Sequence, residues 1–120
     1  MKISCDLRGD CLVIRLKGEL DMNGSRMFKD KVLPLQYDND IKIMLFNLTH
    51  VNFIDSTGLG TVLGRYRELK KNNGRVVLVG LKPQIKRVFS LAGILQIMEE
   101  YETEEEAMYY LAQEGVYNLV

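Results

Sequence analysis

The runs Ile43–Phe46 (IMLF) and Val76–Val79 (VVLV) of this 120-residue chain are apolar without a break. A strand with one face in water alternates apolar and polar residues. An unbroken run therefore suits a strand covered on both faces, as in a mostly parallel sheet. Each run lies in a longer strand-like segment, IKIMLFNL (41–48) and GRVVLVGL (74–81), and helical patterns follow both. Parallel neighbours need a crossover connection, usually a helix. The expected fold is α/β: a mixed sheet of four or five strands with about four packed helices.

The other elements fall around these two. Residues 2–7 and 11–17 read as a hairpin, with Gly9 and Asp10 supplying turn chemistry and Gly18 ending the second strand. A turn centred on Arg8–Gly9 sets Cys5 opposite Leu12 rather than Cys11, so the two cysteines are expected as buried free thiols, not a disulfide. Residues 24–36 carry Met27, Phe28, Val32 and Leu35 near the spacing of a buried stripe, with Pro34 expected in the last turn. KPQIKRVFSLAG (82–93) predicts a helix with Pro83 at its start and Gly93 past its end. ILQIMEEY has room for a short edge strand, and TEEEAMYYLAQEG predicts a helix capped by Thr103 with Glu106 completing a capping box. No repeat or linker divides residues 1–120, and a single domain is expected.

Acidic and basic residues balance at 16 each, so no global field attracts nucleic acid or a membrane surface. The basic run RYRELKKNNGR (65–75) and the acidic run EEYETEEE (99–106) read as solvated faces. No apolar h-region follows Met1 and no stretch reaches the length of a membrane span, so a cytoplasmic chain is expected.

One helix departs from ordinary construction. In NFIDSTGLGTVLGRYREL (52–69) it opens on Asp55, Ser56 and Thr57, and Gly58, Gly60 and Gly64 follow. Leu59, Val62, Leu63, Tyr66 and Leu69 fall within about a 120° arc that must face the sheet, with Gly60 and Gly64 on the far side. Each interior glycine costs about 0.8–1.0 kcal/mol relative to alanine. Either a neighbouring helix of this chain crosses at the two glycines, or a separate protein presses there. Asp55 or Ser56 suits an ordinary N-cap. The amides of Thr57, Gly58 and Leu59 lack intrahelical partners and would also receive a phosphoryl group carried on Ser56, with Gly58 offering no side chain to block it.

Residues 53–94, FIDSTGLGTVLGRYRELKKNNGRVVLVGLKPQIKRVFSLAGI, closely resemble the anti-sigma factor antagonists of the STAS domain family, the sporulation-type members acting on sigma-F above all. GELD (18–21) and FNL (46–48) match the family's other marks, so the resemblance covers roughly residues 3–115. It implies a STAS domain that, unphosphorylated, binds an anti-sigma factor with serine kinase activity and so releases a sigma factor. It implies that this kinase phosphorylates Ser56 and ends the binding, and that a separate serine phosphatase restores it. Asp21 is then expected beside the phosphoserine site. The expected docking surface takes in Asp21, Asn23, Asp55, Ser56, Thr57, Gly58, Leu59, Gly60, Gly64 and Arg67. After GELD the run Met22-Asn23-Gly24-Ser25 departs from the family pattern, and Gly24 is expected to loosen the first helix start.

An enzyme is not expected. His50 has no cysteine or second histidine near it in sequence, no GxxxxGK[ST] loop is present, and GLGTVLG misses the last glycine of GxGxxG. No cofactor or metal is implied, since the sequence offers no ligand cluster. The competing function is a STAS scaffold or regulatory subunit of a stress-sensing or transport complex; the co-purifying partner distinguishes the two.

Overall fold

The computed structural model describes residues 1–114. The elements are β1 (Lys2–Arg8), β2 (Cys11–Leu20), α1 (Met22–Asp38), β3 (Ile43–Ile54), α2 (Ser56–Lys70), β4 (Arg75–Val79), α3 (Pro83–Leu91), a 3-10 turn (Ile94–Gln96), β5 (Glu99–Tyr101) and α4 (Glu104–Glu114). The five strands lie in sequence order, with β1 antiparallel to β2 and all other pairs parallel.

Sequential order fixes where the helices go. Crossovers between parallel strands are right-handed, so three crossovers advancing in one direction place α1, α2 and α3 on the same face. The core shows this. Leu12, Ile14 and Leu16 of β2 and Met44, Phe46 and Leu48 of β3 pack with Phe28, Val32, Val62, Leu69, Ile85 and Phe89 of the three helices. The alternate residues Cys11, Val13, Ile43, Leu45, Val77 and Val79 form a second cluster under Ala107 and Leu111 of α4. The unbroken apolar runs are thus covered on both faces, as expected. Glu99–Tyr101 is the short edge strand, and Thr103 Oγ1 accepts from the Glu106 amide at 3.1 Å, so Thr103 caps α4. Gly115, expected at the end of that helix, lies outside the described residues.

Five expectations need correction. The hairpin turns on Gly9–Asp10, so Cys5 pairs with Ile14 and Arg8 with Cys11. That register is fixed from outside the hairpin, where the Asp10 carbonyl accepts from the amides of Lys42 and Ile43. The thiols are free, but Cys5 is only half-buried, while burial pushes the Cys11 thiol up to about 12. β2 continues two residues past Gly18, and α1 runs a turn beyond Pro34, which lies on the exposed side of the helix, where the carbonyl that loses its backbone bond is not sealed in the core. Met27 is outside the α1 stripe, exposed at 40%.

Candidate functional site

The helix starts of α1 and α2 meet at the C-terminal end of β2. Asp55 adopts extended backbone as the N-cap of α2, and its Oδ1 accepts from the Gly58 amide at 2.9 Å. Asp21 does the same for α1, accepting from the Gly24 amide at 2.8 Å. A β-carbon on Gly58 would collide with the carbonyl oxygen of Leu20 and stand 2.8 Å from Ile54 Cγ1. One on Gly24 would collide with the carbonyl oxygen of Glu19. Both helices therefore press their first turns onto the last two residues of β2, and both need glycine to do so.

Three expectations change here. Gly58 is buried, and its missing side chain makes room for the Leu20 carbonyl, not for a phosphoryl group. Gly24 does not loosen α1; it lets the first turn seat, with its amide held by Asp21. The supply of free amides is also smaller than expected. The Gly58 amide is taken by the Asp55 carboxylate and the Leu59 amide donates to the Asp55 carbonyl at 2.9 Å. Among the described residues, the free first-turn amides of α2 are those of Ser56 and Thr57.

Ser56 occupies the first helical position of α2 and is exposed, as is Thr57. The capping work belongs to Asp55, so the Ser56 hydroxyl has no structural bond to make. Asp21 is half-buried and Asn23 exposed on the adjoining start of α1. Gly60 and Gly64 face outward with nothing within 4 Å of an added β-carbon, so no helix of the described chain crosses there. The two glycines belong to a groove of about 390 Å³ between α1 and α2, lined by Lys29, Thr57, Gly60, Thr61, Gly64 and Arg65. Arg65 ties its two walls, donating to Gln36 Oε1 at 2.9 Å. Arg67 is exposed three turns below Ser56, on the same side of the helix.

The buried side of α2 is rotated from the expected stripe. Val62 and Leu69 are buried, but Leu59, Leu63 and Tyr66 are only half-buried where they pack on the core; Gly58 is buried against the end of β2 and Thr61 at the groove with α1. Thr61 satisfies its hydroxyl within the helix by donating to the Thr57 carbonyl at 3.2 Å. Sequence reasoning missed Lys29 and Arg65, the charged walls of the groove, and the exposed apolar residues Met22, Met27 and Phe53. Met22 follows the cap Asp21 and Phe53 lies two residues before the cap Asp55, a signal present in the sequence; the exposure of Met27 has none, since its spacing fits a buried stripe.

The STAS domain model matches residues 2–107. The chain belongs to the STAS domain family. An anti-sigma F factor antagonist from Lysinibacillus sphaericus is 35% identical over 99 residues, covering 82% of this chain and 84% of that one. The solved anti-sigma factor antagonist SpoIIAA in its unphosphorylated form is 32% identical with a TM-score of 0.81, over 93% of this STAS domain chain and 97% of that one. The Bacillus cell fate determinant SpoIIAA in the phosphorylated form is also 32% identical, with a TM-score of 0.75 over 92% and 99% of the two chains. Among the described residues of this STAS domain no helix is long and apolar enough to cross a membrane.

Proposed function

We propose that this chain is a cytoplasmic anti-sigma factor antagonist, a binding protein and not an enzyme. Unmodified, it docks an anti-sigma factor with serine kinase activity over the start of α2 and releases the sigma factor. Phosphorylation of Ser56 ends the docking, and a serine phosphatase reverses it.

One observation carries this reading: Ser56 is an exposed hydroxyl at the first position of α2 while Asp55 does the capping. The hydroxyl is open to a kinase and its modification removes no bond that holds the helix. A phosphoryl group adds about −1.5 to −2 charge and three acceptor oxygens. The amides of Ser56 and Thr57, at the positive end of the helix, favour that charge by about 0.3–1 kcal/mol, and the Asp55 carboxylate opposes it. The two effects are of similar size, so the fold tolerates the modification and the large effect falls on whatever covers Ser56. In support, the solved relative exists in unphosphorylated and phosphorylated forms and this chain's fold is similar to both. The open face at Gly60 and Gly64 supplies the close backbone approach that a docked partner needs.

The test is incubation with the candidate kinase and ATP, followed by mass spectrometric mapping and affinity measurement. The expected results are label on Ser56 alone, Ser56→Ala that binds but takes no phosphate, and Ser56→Asp that binds at least tenfold more weakly, about 1.4 kcal/mol. Label on Ser56→Ala equal to wild type overturns the site, and undiminished binding by Ser56→Asp overturns the switch.

A further inference from the structure

The sheet face that carries α4 is only partly covered by it. Ala107 and Leu111 sit over Cys11, Val13, Ile43, Leu45, Val77 and Val79, and further along β2 and β3 Lys17 and His50 are exposed, with no described residue covering them. By the two-residue period of a strand, Arg15 and Lys17 point to the same side as Val13. The register sets Lys2 opposite Lys17, Ser4 opposite Arg15, and His50 beside Lys17 on β3. These five side chains line a trough of about 470 Å³.

Among its cations Arg15 is matched, by Glu104 and Asp6, as are those elsewhere on the sheet: Arg8 by Asp6, Arg75 by Glu99 and Glu114, and Lys86 near the edge by Glu100. Lys2 and Lys17 are exposed and, among the described residues, make no ion pair, although like charges directly opposite across a strand pair repel. Glu19, the next acidic residue along β2, follows a register shift at Gly18 and makes no ion pair with Lys17 either. The counter-charge stands next door. Glu104, in the first turn of α4, is held by Arg15 at 2.7 Å and by Asn47 at 2.6 Å, while its neighbour Glu105 is exposed and, though near enough to Arg15 to act on its charge, makes no ion-pair contact among the described residues.

We infer that this face is where a second copy of the chain docks about a two-fold axis, with Glu105 of each copy over Lys17 of the other. A positive patch and a negative one side by side on one face are self-complementary under a two-fold, which makes both contacts at once and closes the assembly at two. Shape agrees with charge. α4 stands on the sheet as a ridge about 10 Å high, ending where the trough begins, so the two-fold seats each ridge in the other copy's trough. The contact is mainly electrostatic and rim-like, hence salt-sensitive. It lies on the sheet face opposite α1 and α2, leaving Ser56 open, and it stands independently of the proposed function.

Sedimentation equilibrium over a concentration series at low and high salt tests this on the full chain. The expected result is a monomer–dimer equilibrium that high salt dissociates. Lys17→Glu and Glu105→Lys each weaken self-association at least tenfold while leaving the far-UV spectrum and melting temperature unchanged. Mixing these two variants restores dimers, since the Lys17→Glu copy then meets the reversed charge and the second contact remains as in wild type. A chain that stays monomeric at low salt and the highest concentration overturns the inference, as does a dimer indifferent to both reversals. A monomer that captures a polyglutamate peptide through Lys17 also overturns it, assigning the trough to an acidic segment of another protein.

Discussion

The start of α1, Asp21-Met22-Asn23-Gly24, and the start of α2, Asp55-Ser56-Thr57-Gly58, share one construction. Each aspartate caps its helix by accepting from the amide three residues on, and each glycine yields space to a carbonyl at the end of β2. The residues between are exposed in both. They differ in what those free positions carry: methionine and asparagine on α1, serine and threonine on α2. The comparison separates two demands that the sequence mixes. Aspartate and glycine answer to the fold, and the residue after the aspartate is left over for chemistry.

The shared part predicts the largest effect. Gly58→Ala and Gly24→Ala each force a methyl group against a backbone carbonyl that no side-chain rotation can move. Overpacking of this kind costs typically 1–3 kcal/mol, and the upper end, about 3 kcal/mol, is expected for both in urea unfolding. A loss at Gly58 with none at Gly24 would show that the two starts are not built alike.

The unshared part predicts a difference in binding. Met22 and Ser56 both hold the first helical position. Met22→Asp and Ser56→Asp place a carboxylate at equivalent helix ends, and their effects on stability should agree within about 0.5 kcal/mol. Affinity for the kinase partner should fall at least tenfold, about 1.4 kcal/mol, for Ser56→Asp and distinctly less for Met22→Asp. Equal losses would mean that the partner senses charge across both starts, and the toggle would not be particular to α2.

Which of these features the sequence discloses follows from where their causes lie. The unbroken runs IMLF and VVLV report coverage of both strand faces directly, so the α/β sheet was legible. The Asp-Ser-Thr-Gly opening disclosed the capped start of α2, because caps are local matters. Gly24 and Gly58 were misread because the atoms they accommodate, the carbonyls of Glu19 and Leu20, belong to another strand. The hairpin register failed for the same reason, being set by bonds from Asp10 to residues 42 and 43. Thr61 broke the helical stripe because its burial comes from the groove with α1, a neighbour the period of α2 cannot report. The trough of Lys2, Lys17 and His50 gave no signal at all, its members coming from three strands.

The smallest effect tests the other glycines of α2, which have no counterpart among the packing glycines. Gly60 and Gly64 meet nothing, so alanine fits at both without displacing any atom. Removing an interior helical glycine should then raise stability by about 0.8–1.0 kcal/mol per site, against the loss expected at Gly58. A chain shaped by folding alone would not keep two such residues on an open face. If they serve close approach of a partner's backbone, Gly60→Ala and Gly64→Ala will each melt higher than wild type and bind the kinase partner more weakly. Gly64→Ala should lose more than Gly60→Ala if the partner lies along the groove toward Arg65, and less if it sits over Ser56. Higher stability with affinity unchanged at both positions would break the link between open glycines and docking. The surface that covers Ser56 would then have to be sought around Met22 and Phe53.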